Sequence, residues 1–350
     1  MILKIKNKKN NINVEFFNSF NYTLPLNSIA SGFSFSFYFD PTNPDHLSII
    51  QLGQYSEIEV ESNGILLITG VLLDFSFQTA ETKSLLNING YSKTGVLEDT
   101  PISPENYPLQ NDGLNLKQIA EKLVSPYGLN LIFDSVINDK LLKVFPTTTA
   151  NETQTIKSYL TELCIQRNIL LTHSAAGELV FTEVKTNKQP FLNFDLTKKS
   201  YEGIDFSLSF NGQNLHSTIF VQKQASINGG NASAAQINNP YVLNAFRPTV
   251  NRQTSGDDND SDLYARQLLS KELRAIKLNI TLSKWEFDGV IIRPNDVVSI
   301  KAPELFLFKK TFFLIESVNY SANENGKTAI LNCVLPEVYN NEKIKNIFYD

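Results

Sequence analysis

Apolar and polar residues alternate along much of the first hundred positions. Gly32 to Asp40 reads GFSFSFYFD, with Phe33, Phe35, Phe37 and Phe39 on one side and Ser34, Ser36 and Tyr38 on the other. A period of two marks a strand with one buried face. Pro41 to Pro44 ends it. Ile58-Glu59-Val60-Glu61 alternates again and runs into Ser62-Asn63-Gly64, a hairpin signal. Ile65 to Gly70 returns, Val71 to Phe77 continues outward, and Ser84 to Tyr91 adds another strand. Short strands joined by tight turns predict a compact antiparallel barrel or sandwich over residues 1–97.

The period then changes. Leu116, Ile119, Ala120 and Leu123 share one helical face. Asn115 is placed to cap that helix, with Gln118 reaching back, and Ser125-Pro126-Tyr127-Gly128 stops it. Leu129 to Asp134 reads as a strand, and Thr155 to Arg167 as a second helix with Ile156, Tyr159, Leu160, Leu163 and Cys164 inward. Asn168 to His173 and Glu178 to Lys185 form a hairpin around Ser174-Ala175-Ala176-Gly177. Residues 98–190 are thus expected to be a small α+β domain.

Residues 191–350 return to strands: Phe206–Phe210, Ser217–Lys223, Lys277–Trp285, Val297–Ala302, Thr311–Tyr320 and Thr328–Leu335. A third helix is expected over 261–276. Asn325-Gly326 marks the last hairpin. The stretch 225–256, rich in Asn, Ser, Gly and Ala, is too long for a turn and reads as an inserted mobile or interaction loop. The fold class that follows is mainly β with α+β: two antiparallel β-barrel or sandwich domains, a small α+β domain and a helix in the C-terminal half.

Composition narrows the partners. A formal charge of -5 leaves no broad basic surface for nucleic acid. Lys4, Lys6, Lys8 and Lys9 read as a solvated edge strand that discourages pairing with other chains. The 24 phenylalanines, many in alternating patterns, are enough to fill a substantial core. Cys164 and Cys333 lie far apart in different predicted elements, which argues against a disulfide framework. The N-terminus MILKIKNKKNN lacks the apolar core of a signal peptide, and no apolar run approaches the roughly 20 residues that span a bilayer. A soluble chain folding in a reducing cytoplasm is expected.

Candidate chemistry is sparse. His46, His173 and His216 are isolated, and no His-x-x-x-His or Cys-x-x-Cys spacing suggests zinc. No strand–elbow–helix motif frames a serine, and no glycine-rich loop cradles phosphate. Asp257, Asp258, Asp260 and Asp262 form the sharpest acidic cluster. A calcium loop of the EF type needs Gly at its sixth position and Glu at its twelfth; counted from Asp258 those are Leu263 and Leu269. The cluster reads better as a helix start, with Ser261 capping and the carboxylates facing the positive end of the dipole. Glu57, Glu59 and Glu61 alternate on one strand face, as in a solvated or pore-lining wall. No catalytic residue, cofactor or metal is expected.

The segment Leu85 to Leu131 resembles the baseplate hub family of phage tails, the Mu-like tail proteins that share the hub fold of contractile phages. The resemblance rests on Gly90-Tyr91 at a strand end, the Thr94-Gly95 turn, Leu97 and Asp99, the helix Leu116–Leu123, and the Pro126-Tyr127-Gly128 stop. A second match runs from Tyr264-Ala265 and Leu268, Leu269, Leu273 through Trp285, Gly289, Pro294, Asn295 and Asp296 to Val297–Ile300. It continues in Phe313-Leu314-Ile315-Glu316-Ser317-Val318 and Leu331–Pro336. Gly32-Phe33, Gly53, Asn63-Gly64 and Gly70 fit the first β-domain. Asn295 stands where the family usually has glycine, and the 225–256 loop matches nothing in the pattern.

The resemblance implies a homotrimeric ring in which each chain supplies two tube-like β-domains, 1–97 and 191–350, with 98–190 outside. Such a pseudo-sixfold ring adapts a hexameric tail tube to a trimeric spike and forms part of the DNA ejection channel. The implied partners are the tail spike, the tail tube, wedge proteins and the tape-measure protein, with DNA only in passage. The implied location is the virion baseplate, assembled in the host cytoplasm. Glu57, Glu59 and Glu61 are then expected to face the lumen, where an acidic wall would repel passing DNA. The alternatives are the hub of a phage-like contractile injection system, a tail-associated cell-wall-binding or hydrolytic protein, and a β-rich carbohydrate- or receptor-binding module. The hydrolase needs paired carboxylates or a histidine metal site in a cleft, and the binding module needs exposed aromatics in a groove.

Overall fold

The computed structural model describes residues 3–8, 13–14, 17–79, 84–186, 189–198, 200–223, 233–252, 261–287, 289–340 and 344–349. Its strands begin with β1 (Leu3–Asn7), β2 (Asn13–Val14), β3 (Ser19–Pro25), β4 (Gly32–Tyr38), β5 (Glu57–Ser62), β6 (Ile65–Thr79) and β7 (Ser84–Ser92). They continue with β8 (Leu131–Phe133), β9 (Leu170–His173), β10 (Leu179–Thr182), β11 (Leu192–Asp195), β12 (Ile204–Phe210), β13 (Thr218–Lys223), β14 (Ser233–Asn238) and β15 (Pro248–Arg252). The last are β16 (Ile276–Leu282), β17 (Glu286–Phe287), β18 (Val290–Ile291), β19 (Val297–Ala302), β20 (Leu307–Asn323) and β21 (Gly326–Val334). The helices are α1 (Pro44–Ile49), α2 (Val96–Asp99), α3 (Leu116–Val124), α4 (Asn138–Leu142), α5 (Ile156–Gln166), α6 (Ser261–Glu272) and α7 (Glu337–Asn340). None of the described helices is long and apolar enough to cross a membrane.

The fold divides into two compact units, each discontinuous in sequence. The first holds Met1–Val184, Ser283–Ile292 and Val318–Ala329; the second holds Lys185–Leu282, Arg293–Ser317 and Ile330–Asp350. The boundaries follow contacts rather than chain order. Three consecutive domains, 1–97, 98–190 and 191–350, therefore do not describe the packing by themselves.

In the first unit the strand order is β20-β3-β4-β7-β6-β5-β1-β2, with β20 contributing its end from Val318 to Asn323. The alternation at 32–40 has the predicted effect: Phe33, Phe35 and Phe37 are buried, while Tyr38 is exposed. Each such aromatic removed from water contributes roughly 1.5–3 kcal/mol. Asn63 and Gly64 both take positive φ, 52° and 80°, which makes the tight turn between β5 and β6. The two segments expected at 65–77 are one strand of 15 residues, with a register shift between Leu72 and Asp74.

The α+β part has its own sheet, β8-β10-β9, with β8 parallel to β10. Its α3 starts with the predicted reciprocal cap: Gln118 N donates to Asn115 Oδ1, and Asn115 N donates to Gln118 Oε1, both at 3.0 Å. Gly128, at φ 60°, closes the turn after Pro126. Ile119, Leu123, Leu160, Leu163 and Phe181 belong to one continuous core. Within the first unit, hydrogen bonds join the α+β part to the N-terminal strands and loops: His173 Nε2 lies 2.6 Å from Ser31 Oγ, and Thr69 N donates to Ala175 O at 2.7 Å.

In the second unit β12 pairs with β16, which leads through β21 to β20; β19 pairs with β20 on one side and with β11, in parallel, on the other. Part of the expected long loop forms strands. Its residues 233–238 and 248–252 are β14 and β15, flanking β13 in a separate three-stranded sheet. Ala265 and Leu269 of α6 pack with Ile219 and Val221 of that sheet. Polar composition hid these strands because one face of a small sheet suffices to meet one helix. Residues 224–232 and 253–260 lie outside the described residues. So do Asp257, Asp258 and Asp260; Asp262 sits in the first turn of α6. The α-helix ends at Glu272, a tighter helical turn continues it to Ala275, and from Ile276 the burial alternates and β16 begins.

Candidate functional site

The acidic row lies on β5, where Ile58, Val60 and Ser62 are buried and Glu57, Glu59 and Glu61 are half-exposed on the opposite face. β1 runs antiparallel beside it in a register that sets Lys6 across from Glu59 and Lys4 across from Glu61. Lys8 Nζ lies 2.7 Å from Glu57 and 3.4 Å from Glu59, and Lys93 Nζ lies 3.1 Å from the other oxygen of Glu57. Burial alone would raise the Glu57 carboxyl; hydrogen bonds and charge from Lys8 and Lys93 outweigh it and hold the group below the usual carboxylate range. The row is therefore half of a cross-strand charge ladder. The lysine strand read as an edge is paired along its length with β5 and, on its other side, with β2 only at Ile5 and Lys6.

Gly90-Tyr91, the pair that carries the sequence resemblance, is a packing device. A Cβ on Gly90 would sit 2.2 Å from Val71 O and 2.4 Å from Phe33 Cζ; one on Gly70 would sit 2.4 Å from Phe33 Cε1. The Phe33 ring thus lies across two glycines on neighbouring strands, in a space that any side chain would fill. One turn later the Tyr91 ring covers Gly95, where a Cβ would meet it at 2.3 Å. Burial, then a hydrogen bond to Asp99, pushes the Tyr91 hydroxyl up to about 12.

The second set of motif residues splits between the units. Trp285 is buried in the first unit, donates from Nε1 to Thr328 O at 2.8 Å, and packs edge-on against Tyr320 at 5.6 Å. Glu316, in the second unit, accepts from Arg274 Nε at 3.0 Å and from the Tyr339 hydroxyl at 2.7 Å. Burial and this carboxylate push Tyr339 up to about 12. Asn295 takes φ 72°, and its Oδ1 accepts from Lys185 N at 2.8 Å. The asparagine thus tolerates the left-handed position and adds a bond that glycine could not make.

The histidines each make hydrogen bonds within the fold. His46 Nδ1 accepts from Asp40 N at 2.9 Å, His173 holds Ser31, and His216 Nδ1 lies 2.6 Å from Glu272. Among the described residues, no group of three His, Cys, Asp or Glu side chains is placed to hold a metal. Both cysteines are buried, and burial pushes the Cys164 thiol up to about 12.

One feature escaped the sequence reading. Phe306 and Phe210 stand half-exposed in the second unit around an open pocket of about 500 Å3, with Tyr241, Phe348 and Tyr349 also lining it; Phe308, likewise half-exposed, packs against Phe306. Phe306 and Phe308 centroids are 5.1 Å apart, and Phe306 takes φ 62°, a conformation uncommon outside glycine and asparagine. The signal was the run Leu305-Phe306-Leu307-Phe308-Lys309-Lys310, in which strand periodicity put large aromatics on the solvent side.

Comparison with known proteins matches this architecture. Residues 94–183 match the family model "Baseplate hub protein gp44-like, second domain". The chain is 23% identical over 303 residues to baseplate hub protein gp44 of Escherichia phage Mu, covering 80% of this chain and 75% of that protein. A 43 kDa tail protein of prophage MuSo2 from Shewanella oneidensis has the same fold, with TM-score 0.81 at 18% identity over 96% of this chain and 98% of that one. A tail protein from Neisseria meningitidis MC58 superposes with TM-score 0.77 at 14% identity, over 96% and 97% of the two chains. The matched segment begins at Thr94, inside the Gly90–Gly128 stretch, and ends after β10. The chain is thus similar in sequence to phage baseplate hub proteins over these segments, and in fold to tail proteins.

Proposed function

We propose that the chain is a structural hub of a phage tail baseplate and a component of the virion. The observation that carries this is the match of residues 94–183 to the second domain of the hub family, within a chain that follows the Mu hub protein for most of its length. In this reading three copies close a ring. Each contributes two β-rich regions, near 1–97 and 191–350, so that the ring offers six similar positions to the tail tube and three to the spike. Wedge and tape-measure proteins are further partners, and DNA passes through the centre. The role is structural, consistent with histidines that are each committed to hydrogen bonds within the fold.

Glu57, Glu59 and Glu61 are proposed to face the lumen. Their pairing with Lys8 and Lys93 changes what such a wall would do. A ladder of alternating sign gives passing phosphates neither a strong repulsion nor a continuous cationic track, so DNA would slide with little sticking.

Light scattering on the purified chain, alone and mixed with its cognate spike, tests the ring. The expected result is a mass of three chains, alone or on the spike. A species that stays monomeric in both conditions, or one that degrades peptidoglycan, overturns the proposal.

A further inference from the structure

A second pocket, of about 450 Å3, opens in the second unit and is lined from α6, the start of β16 and β15. Strand alternation makes part of its wall unexpected. On β13, Ile219 and Val221 are buried against α6, and on β14 Ile237 and Ala235 stand beside them and join the same core. The positions in register on β15 are Thr249 and Asn251. They share the helix-facing side of the sheet, yet both are polar, and both line the pocket. Where the pattern calls for apolar residues facing a helix, the chain carries a hydroxyl and an amide.

The charge of the lining is mainly positive. Lys271, Arg274 and Lys277 contribute to it against the carboxylate of Glu272, in a chain of net charge -5. The Glu272 charge is already shared: one oxygen accepts from His216 Nδ1 at 2.6 Å, and the other from His216 N at 3.0 Å and Asn239 Nδ2 at 3.4 Å. A carboxylate only accepts, so Nδ1 carries the ring proton, and Nε2 of neutral His216 is left as an acceptor. Arg274 is engaged too, through Nε with Glu316 at 3.0 Å. Among the described residues, the side chains of Asn214, Thr249, Asn251, Lys271 and Lys277 make no hydrogen bond or ion pair with another residue. The frame around them is nonetheless held. Arg247 donates to Gly212 O at 2.9 Å and to Gln213 O at 2.8 Å, which fixes the turn that carries Asn214. A fixed frame with uncommitted polar groups loses little entropy on binding.

We propose that this pocket binds a phosphate monoester of a small polyol, such as a sugar phosphate, with Lys271 and Lys277 on the phosphate and Asn214, Thr249, Asn251 and His216 on the hydroxyls. A phosphate monoester carries roughly -1.5 to -2 charges near pH 7, which two ammonium groups match. An ammonium is a point charge that meets phosphate from any direction, whereas a carboxylate is best met by the planar fork of an arginine. Arg274, which has that fork, already holds Glu316. The volume falls within the roughly 300–1,000 Å3 of small-molecule sites and exceeds what a bare phosphate fills. The amides, the threonine hydroxyl and His216 Nε2 supply both donors and acceptors, as hydroxyl groups require. No second copy of the chain is needed for such a site.

Calorimetric titration of the full chain with glycerol 3-phosphate, inorganic phosphate and glycerol, at one salt concentration, tests this. Glycerol 3-phosphate is expected to bind saturably and at least about 10-fold tighter than inorganic phosphate, with no detectable binding of glycerol. Lys271→Ala with Lys277→Ala should weaken glycerol 3-phosphate at least about 10-fold, through the lost charge-assisted hydrogen bonds. Thr249→Val with Asn251→Leu should bring its affinity down to that of inorganic phosphate. Lys309→Ala with Lys310→Ala, exposed lysines outside the lining, should leave it unchanged. In the wild type, amide exchange over 249–251 and 271–277 should slow when glycerol 3-phosphate is added, which tests the site even if a variant misfolds. Absence of saturable binding, unchanged exchange, or an equal loss in the Lys309 and Lys310 variant overturns the site. Inorganic phosphate binding as tightly as glycerol 3-phosphate overturns the polyol assignment. Each of these outcomes leaves the mass of the assembly, and so the ring, untouched.

Discussion

Gly90→Ala is expected to destabilise the first unit far more than Gly32→Ala, although the two glycines occupy adjacent rungs of the β4–β7 ladder. At Gly32 a new Cβ meets nothing closer than 4.0 Å; at Gly90 it meets Val71 O at 2.2 Å and Phe33 Cζ at 2.4 Å. The ring could tilt, but the carbonyl belongs to β6 and moves only with its strand. Overpacking costs about 1–3 kcal/mol when side chains can adjust, so a backbone clash belongs at the upper end, about 3 kcal/mol. Gly32→Ala should instead stabilise by about 0.5 kcal/mol, because alanine lowers the entropy of the unfolded chain. For a unit on the order of 200 residues, 1 kcal/mol shifts Tm by about 2–4 °C, which puts the Gly90 variant about 6–12 °C below the wild type. Thermal melts followed by circular dichroism, with urea midpoints in parallel, measure both. A double-mutant cycle with Phe33→Leu apportions the clash: the smaller side chain should recover part of the loss, with a coupling of about 1 kcal/mol. If Gly90→Ala melts within 2 °C of the wild type, or the cycle is additive, the close-approach account of the Gly-Tyr pair is wrong.

Reversing the acidic row with Glu57→Lys, Glu59→Lys and Glu61→Lys should lower Tm, because each new lysine faces a lysine of β1 or Lys93; added salt should restore part of the loss, and a Tm insensitive to salt would count against the ladder. Glu57 titrates below its ordinary value, so its stabilising share is present above about pH 4.5 and lost as pH falls through the depressed value; Lys8 titrates above its ordinary value, chiefly through its hydrogen bond to Glu57, so its share is lost only as pH rises through that raised value. Glu57→Gln should accordingly flatten the acid limb of a Tm–pH profile, and an unchanged limb would remove the pair from the account. Asn295→Ala should cost about 2 kcal/mol in urea denaturation, from the left-handed φ and the lost bond to Lys185, whereas Asn295→Gly should cost about 1; the reverse order would refute the conformational argument. Glu316→Ala should cost about 1 kcal/mol, discounted for the partly exposed Arg274 partner, and a neutral melt would show that Tyr339 and Arg274 need no anion between them.

The first strands were legible because one face of each is buried and the other is wet, so Phe33, Phe35 and Phe37 announced themselves by spacing. The start and stop of α3 were legible because capping is local chemistry, confined to Asn115, Gln118 and Gly128. The division into units was not. It depends on where Trp285 and Tyr320 lodge, and the contacts they make with Phe20 and Tyr22 join residues some 265 to 298 positions apart in sequence. β14 and β15 were missed because a small sheet facing one helix needs few apolar residues, and Ala234, Ala235 and Thr249 do not stand out from a loop. Glu57, Glu59 and Glu61 were correctly placed on one strand face, but the ion-pair partners of Glu57 and Glu59 are Lys8, just after β1, and Lys93, whose register no local pattern specifies.

The acidic row and the Gly-Tyr pair also explain each other. Phe33 lies flat across Gly70 and Gly90 on β6 and β7, so these strands approach it without intervening side chains. β6 then carries β5 beside it, with Thr69 opposite Glu59 and Val71 opposite Glu57. Two residues after Gly90-Tyr91, Lys93 begins the tight turn from which its ammonium reaches Glu57. The hairpin tip that bonds Thr69 N through Ala175 O also sets Gly177 against the stem of Lys93, where a Cβ would come within 2.8 Å. A side chain at Gly177 would push Lys93 from Glu57 while loosening the α+β part from β6. The residues that give the chain its family resemblance therefore fix the position of one charge partner of the acidic row.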